Sequence, residues 1–381
     1  MSEQDTTQDW VIFNKIKTQS GKVIGHARLN NPKALNALSL PMIEALLPTL
    51  LAWREDDDVA LVVLDGAGQK AFCAGGDVVA MYKAMQSEPG ETPALVEEFF
   101  TREYRLDHLI HRYDKPLVVW GHGITMGGGL GLMAGASHRI VTEKARIAMP
   151  EISIGLYPDV GGSWFLNRMP SGCGLFLGLT GASINANDAC FVGLADHLID
   201  EQRYDDFIEQ LQQCQWTDAP TLNHEKLSEI CMQFSEESHQ LMPASNLQPH
   251  TSLIEQISKE AQLADVIAKL IAADKGDDKW LNKAIATLKA GSPITARILF
   301  EQLKQGQGKS LEECFRMELG LSCRCAEVGE FAEGVRALLI DKDNQPKWKY
   351  ADVEGVPDSL IEHFFTSPWA AQDHPLNDLQ E

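Results

Sequence analysis

The sequence predicts an α/β fold, with stacked strand and helix repeats over residues 10–200 and a mostly helical region over 201–381. Three observations carry that expectation. Short apolar, β-branched runs alternate with helically spaced segments in the first half, glycine-rich turns follow those runs, and strand signals fade beyond about residue 200.

Trp10 to Lys17 and Gly21 to Leu29 read as two strands joined by a Gln-Ser-Gly turn. Pro41 to Arg54 has apolar residues at helical spacing, with Ser39 as its N-cap. The strand Val59–Leu64 leads to the loop Ala71-Phe72-Cys73-Ala74-Gly75-Gly76-Asp77, and a helix follows over 78–87. The polar span from Ser87 to Pro93 reads as a surface loop, after which helical spacing resumes from Ala94 to Arg112. Lys115 to Trp120 reads as a buried strand, Leu130 to Ala136 as a tightly packed helix, and Arg139 to Glu143 as a further strand. Residues 201–342 are helical in pattern, and an irregular tail begins at Asn344-Gln345-Pro346-Lys347-Trp348.

A chain of 381 residues is long enough to bury a large core. Its formal net charge of −21 argues against nucleic acid and anionic membrane surfaces as partners. A phosphorylated ligand remains compatible, since a few local cations suffice. No apolar stretch approaches the ~20 residues that span a bilayer. The acidic start Met1-Ser2-Glu3-Gln4-Asp5 lacks an apolar secretory core and an Arg-rich presequence, so a cytoplasmic location is expected. Of the eight cysteines, Cys73, Cys173 and Cys190 sit among small or apolar residues, as reduced buried thiols do. Cys323-Arg324-Cys325 has no second ligand pair at a zinc spacing, so no metal is expected.

The chemistry concentrates in residues 121–162. Gly121-His122-Gly123-Ile124-Thr125-Met126-Gly127-Gly128-Gly129 lies between a strand and a helix start, where backbone N–H groups lack internal partners and a ligand can approach closely. If the Gly75-Gly76 loop meets this run, each can aim one N–H at a carbonyl oxygen becoming an oxyanion. One such donor is worth about 3–4 kcal/mol of barrier in a hydrolase. Two carboxylates follow, Glu151 after Met149-Pro150 and Asp159 after Pro158. Gly129 to Ala134 fits a dinucleotide fingerprint only loosely, and Ser163 after Gly161-Gly162 lacks the strand-turn-helix setting of a nucleophile elbow.

Taken in order, Leu29-Asn30-Asn31-Pro32-Lys33-Ala34-Leu35-Asn36-Ala37-Leu38, Phe72-Cys73-Ala74-Gly75-Gly76-Asp77, Gly127 to Gly129 and Ile154-Gly155-Leu156-Tyr157-Pro158-Asp159-Val160-Gly161-Gly162 resemble the enoyl-CoA hydratase/isomerase (crotonase) superfamily. The resemblance implies a crotonase-like spiral of β-β-α repeats with the helical C-terminal part covering it. It also implies an acyl-CoA ligand, and an oxyanion hole made by the N–H groups of Gly76 and Gly128. A homo-oligomer is one assembly it allows, and no cofactor is implied beyond the CoA of the substrate.

Hydratases of the superfamily hold water between two glutamates. Here the first of those positions is Gly131 and only the second, Glu151, is present. Asp159, Glu103 in Arg102-Glu103-Tyr104, and Glu330 to Ala337 followed by Asp341 to Trp348 are similar instead to the thioester-hydrolysing members. The implied activity is hydrolysis of a short 3-hydroxyacyl-CoA, 3-hydroxyisobutyryl-CoA foremost, in valine breakdown. Glu151 is then the nucleophile or the general base, Asp159 binds the 3-hydroxyl or orients water, and Glu103 binds the polar end of the acyl group. Tyr104 reads as core or pocket wall, and Lys33 as a solvated lysine. Competing readings are an enoyl-CoA hydratase/isomerase using Glu151 alone and a non-catalytic acyl-CoA-binding protein.

Overall fold

Strands β1 (Val11–Lys17) and β2 (Val23–Leu29) form an antiparallel hairpin, and every later strand pairs in parallel. The structure is a computed structural model and describes residues 9–380. The acidic start Met1 to Asp5 lies outside them. Helix α1 (Leu40–Glu55) follows the hairpin, and β3 (Val59–Gly66) lies beside β2. The repeats are then β4 (Ala71–Cys73) with α2 (Val78–Ser87) and α3 (Ala94–His111), β5 (Leu117–Gly121) and β6 (Ile124–Met126) with α4 (Gly128–Ala134), and β7 (His138–Val141) with β8 (Arg146–Ala148).

Each repeat sends a longer strand into one sheet and a three-residue strand into another. The first sheet has the order β1-β2-β3-β5-β7-β9, with β9 at His197–Leu198, and the second the order β4-β6-β8. The second sheet is absent from the sequence-based expectation, because three residues are too few to display an alternation. Ser39 precedes α1 in extended backbone but makes no side-chain cap hydrogen bond. Pro41 stands at the second helical position and has no N–H to donate to it.

The C-terminal part wraps both faces of this scaffold. Helices α5 (Gly162–Phe165), α6 (Cys173–Thr180) and α7 (Ala186–Phe191) close the repeats. Helices α8 (Tyr204–Gln213) and α9 (Pro220–Ser238) place Phe207, Leu211, Leu227 and Phe234 against Ile24, Val63, Val118 and Ile140 of the first sheet. The opposite side carries α10 (Thr251–Ile257), α11 (Leu263–Ala272), α12 (Lys279–Ala290), α13 (Pro293–Gly306), α14 (Leu311–Val328), α15 (Glu330–Val335) and α16 (Asp358–Phe364). One apolar cluster runs from Val11 to Leu376, so these helices share the core of the repeats. Cys73 and Cys173 are buried thiols as expected, whereas Cys190 is half-buried.

Two glycines of the triple run have distinct physical reasons. Gly127 has φ +48° and ψ −124°, a conformation closed to residues with a side chain. Gly129 packs so tightly that a Cβ there would collide with the Cys73 carbonyl oxygen of β4. Gly129→Ala is therefore expected to lower stability by about 3 kcal/mol, by overpacking of helix on strand. A urea denaturation midpoint unchanged from the parent would contradict this contact.

Candidate active site

Because β4, β6 and β8 are neighbours in one parallel sheet, their C-terminal ends deliver Gly76, Gly128 and Glu151 side by side. A Cβ built on Gly128 would lie 3.5 Å from the Gly76 nitrogen, and one on Gly127 would lie 3.1 Å from Glu151 Oε1. The two glycine loops meet. Gly128 is the first residue of α4, and among the described residues neither its N–H nor that of Gly76 has an acceptor. Helix α4 starts two residues earlier than the expected Leu130, and that earlier start exposes the Gly128 N–H.

Helix α3 supplies Glu103, whose Oε1 touches the space over Gly128 and is buried without a partner. Glu151 opens a short 3-10 turn, Glu151–Ser153, after Pro150, and its Oε2 is likewise unpartnered. Asp159 lies in the loop between that turn and α5, where its Oδ2 accepts the Tyr104 hydroxyl at 2.7 Å. The structure thus brings together all five positions picked out from the sequence, Gly76, Glu103, Gly128, Glu151 and Asp159. Tyr104 is fully buried, as a core residue would be, and is also a hydrogen-bond donor to the site. Lys33 is exposed.

Several participants were not picked out. Asp107, one turn beyond Glu103 on α3, is fully buried with both carboxyl oxygens unpartnered. It leans on Gly131, where an added Cβ would lie 2.9 Å from its Oδ2 and 2.6 Å from the Val160 Cβ. The position that carries a glutamate in the hydratases thus has no room for a side chain. Val160 has φ +53°, a left-handed conformation that costs a β-branched residue about 1–3 kcal/mol. Glu318 of α14 holds this loop, accepting the N–H of Gly161 and of Ser163 at 2.7 Å each, while Gln302 donates to the Pro158 carbonyl at 2.7 Å. The four-residue spacing of Glu103 and Asp107 was the only advance signal. Nothing near Val160 announces its backbone conformation.

Glu103, Asp107, Glu151, Asp159 and Glu318 are all nearly or wholly buried. Burial pushes the carboxyls of Glu103, Asp107 and Glu151 well above the ordinary range, and neighbouring acids add to it. Asp159 is raised to about 7 by burial, against the opposing Tyr104 hydrogen bond. Glu318 is raised to about 8 by burial, against its hydrogen bonds to Ser163 and Gly161. At neutral pH, Asp159 is therefore the carboxyl poised to exchange a proton. Elsewhere, a cleft of about 710 Å³ lined by Arg28, Asp65, Lys70, His122 and Tyr204 contains none of these acids. Among the described residues no cluster could hold a metal ion, and no helix is long and apolar enough to cross a membrane.

Two sheets built from repeated strand pairs, with glycine N–H groups presented at the ends of adjacent short strands, define a crotonase-fold protein. The chain belongs to the enoyl-CoA hydratase/isomerase family, whose sequence model matches residues 24–365. It is 38% identical over 364 residues to the mitochondrial 3-hydroxyisobutyryl-CoA hydrolase of Danio rerio, covering 94% of this chain and 89% of that one. It is also 38% identical over 343 residues to the protein of the same name from Xenopus tropicalis, covering 90% and 86%. The crystal structure of a carnitinyl-CoA dehydratase from Mycobacterium thermoresistibile is similar with a TM-score of 0.84 at 32% identity, covering 98% of this chain and 100% of that one. Both hydrolases are named mitochondrial, so they lend no support to the cytoplasmic expectation.

The raised acids make stability fall with pH. They bind protons in the folded chain that they release when unfolded, so their contribution is full below the ordinary carboxylate range and is lost as pH rises through the folded values near 7 and 8. Denaturant midpoints of the ligand-free protein are expected to decline from about pH 4 to about pH 8, by up to about 1.4 kcal/mol per pH unit for each group still protonated. Asp107→Asn, which removes one such acid, should flatten the decline. An equal slope in the variant would show that Asp107 is not held protonated.

Proposed function

We propose that the protein hydrolyses short 3-hydroxyacyl-CoA thioesters, 3-hydroxyisobutyryl-CoA foremost, a reaction of valine breakdown. The observation that carries this reading is the meeting of two N–H groups without acceptors, Gly76 and Gly128, over the Glu151 carboxyl. The thioester oxygen would sit against those N–H groups, which stabilise the negative charge that develops on it. Gly76 is only half-buried, and access for the acyl-CoA is proposed from that side.

Two routes lead from Glu151. As nucleophile, its carboxylate oxygen bonds to the acyl carbon, the C–S bond breaks, and its electron pair leaves on sulfur as the CoA thiolate. Water then opens the mixed anhydride. As general base, Glu151 takes a proton from water while the water oxygen bonds to the acyl carbon. Either route needs Glu151 ionised, and a proton acceptor beside it is available in Asp159. Asp159 also binds the 3-hydroxyl or orients water. Glu103, against Gly128, must be neutral, because an ionised carboxyl there would oppose the oxyanion, and as a neutral acid it can donate to the polar end of the acyl group. No cofactor other than the CoA of the substrate enters this chemistry.

A hydratase or isomerase is the second reading, suggested by the name of the dehydratase structure. The filled space at Gly131 favours hydrolysis, because a two-glutamate arrangement for water addition cannot be built there. A homo-oligomer is retained as a proposal from the family resemblance. The eight free cysteines suit a reducing compartment, and a cytoplasmic location is proposed on that ground, against the mitochondrial names of the relatives.

The test is free-thiol release from 3-hydroxyisobutyryl-CoA, 3-hydroxypropionyl-CoA and crotonyl-CoA, with the crotonyl double bond followed optically. Thiol release confined to the hydroxylated thioesters is expected. Loss of the double bond without thiol would overturn the proposal in favour of the hydratase. Glu151→Gln should lower kcat by about 10³-fold. Asp159→Asn should reduce the preference for hydroxylated over plain acyl groups by about tenfold or more. Oxygen-18 from water entering the Glu151 carboxyl in a single turnover marks the anhydride route.

A further inference from the structure

Behind Asp159 runs a line of buried hydroxyls that the proposed chemistry does not yet use. Asp159 Oδ2 lies 2.7 Å from the Tyr104 hydroxyl, which lies 2.7 Å from Ser322 Oγ. Ser322 Oγ lies 2.9 Å from the Tyr157 hydroxyl, and that hydroxyl lies 2.6 Å from the Glu318 carbonyl oxygen. Tyr104, Tyr157 and Ser322 are fully buried, and these four contacts are the hydrogen bonds of their hydroxyl oxygens among the described residues.

Counting hydrogens decides what this line does. The Glu318 carbonyl can only accept, so the Tyr157 hydrogen is committed to it. Tyr157 must then accept from Ser322, and Ser322 from Tyr104. All three hydroxyl hydrogens are now used. The remaining contact, between Tyr104 and Asp159, is a hydrogen bond only if the carboxyl brings its own proton. When Asp159 is ionised, Tyr104 turns its hydrogen to the carboxylate, and one contact further along is left as two oxygens with no hydrogen between them.

We infer that Tyr104, Ser322 and Tyr157 form a positioning chain that sets the proton affinity of Asp159, complete in its hydrogen bonds only while Asp159 is protonated. This rests on the reading of Asp159 as a carboxyl that takes up a proton during hydrolysis. In that step a proton leaves Glu151 or the attacking water and bonds to Asp159, and the Tyr104 hydrogen turns from Asp159 to Ser322, with Ser322 donating to Tyr157 and Tyr157 still donating to the Glu318 carbonyl. No proton travels beyond Tyr157, because the carbonyl at the far end has none to exchange. Ser322 and Tyr157 thereby raise the basicity of Asp159 against the pull of the Tyr104 hydroxyl, without connecting it to solvent.

The other titratable groups facing Asp159 are all acidic. They are Glu103 and Asp107 from α3, Glu151 from the 3-10 turn, and Glu318 and Cys325 from α14. Any of them that ionises also favours the protonated form of Asp159. What they cannot do is give opposite responses to loss of different hydroxyls in one line.

That difference supplies the test. Ser322→Ala and Tyr157→Phe free the remaining hydroxyls to point towards Asp159 and so favour its ionised form. Tyr104→Phe removes the carboxylate's donor and favours the neutral form. In ligand-free protein, the protonated-carboxyl infrared band that Asp159→Asn abolishes should titrate about one pH unit lower in the first two variants and about one unit higher in the third. The acid limb of the thiol-release profile should move in the same directions. Shifts of one common sign, or no shift, would overturn the chain even if thiol release is normal. Opposite infrared shifts without thiol release would uphold the chain and overturn the hydrolase reading instead.

Discussion

The rest of this structure depends on burying five carboxyl groups together without a cation to balance them. Glu103, Asp107, Glu151, Asp159 and Glu318 are drawn from α3, two loops and α14, and among the described residues no Lys or Arg is a leading influence on any of them. An isolated ionised carboxylate is too costly in such a medium, so the group retains protons or recruits donors. Glu318 recruits two backbone N–H groups, Asp159 one tyrosine hydroxyl, and the others remain largely neutral. The proton inventory of the site is therefore a property of the fold.

That constraint explains why the C-terminal helices are part of the site. The repeats alone provide the proposed oxyanion donors and Glu151, since these lie at the ends of β4, β6 and β8. Asp159, however, sits in a loop whose next residue, Val160, is held in an unfavourable left-handed conformation. The loop stays there because α14 reaches in with Glu318 and α13 with Gln302. The same helix carries Ser322, one turn on, which joins Tyr104 to Tyr157. A single face of α14 holds the loop that carries Asp159 and completes the hydroxyl line proposed to set its proton affinity.

How much of this was legible in the sequence follows the same division. Gly76, Gly128, Glu151 and Asp159 stand in short motifs where glycine or proline neighbours betray unusual backbone, and those motifs survive inspection of the chain alone. The strands that align them do not, because β4, β6 and β8 have three residues each and show no period. Glu318 and Ser322 were invisible for the opposite reason, and Asp107 offered only its four-residue spacing from Glu103. They occupy regular helices, where a polar residue reads as solvent-facing until the packing of α3 on α14 turns it inward. The helical character of 201–342 could be read from spacing, but not which of its side chains would enter the site.

The arrangement also resolves an apparent conflict between burial and catalysis. The oxyanion hole proposed at Gly76 and Gly128 is useful only if the carboxyl against it is not already negative, yet Glu103 lies directly against Gly128. In water Glu103 would be ionised at neutral pH and would oppose the charge proposed to develop there. In the closed site the same desolvation that raises its proton affinity removes that opposition. Glu151 too is held neutral in the resting site, and in the proposed reaction it ionises by giving its proton up within the cluster, where Asp159 is the acceptor. Burial thus leaves the neighbourhood of the developing charge neutral while keeping one proton acceptor within the cluster, and both conditions follow from where α3 and α14 meet.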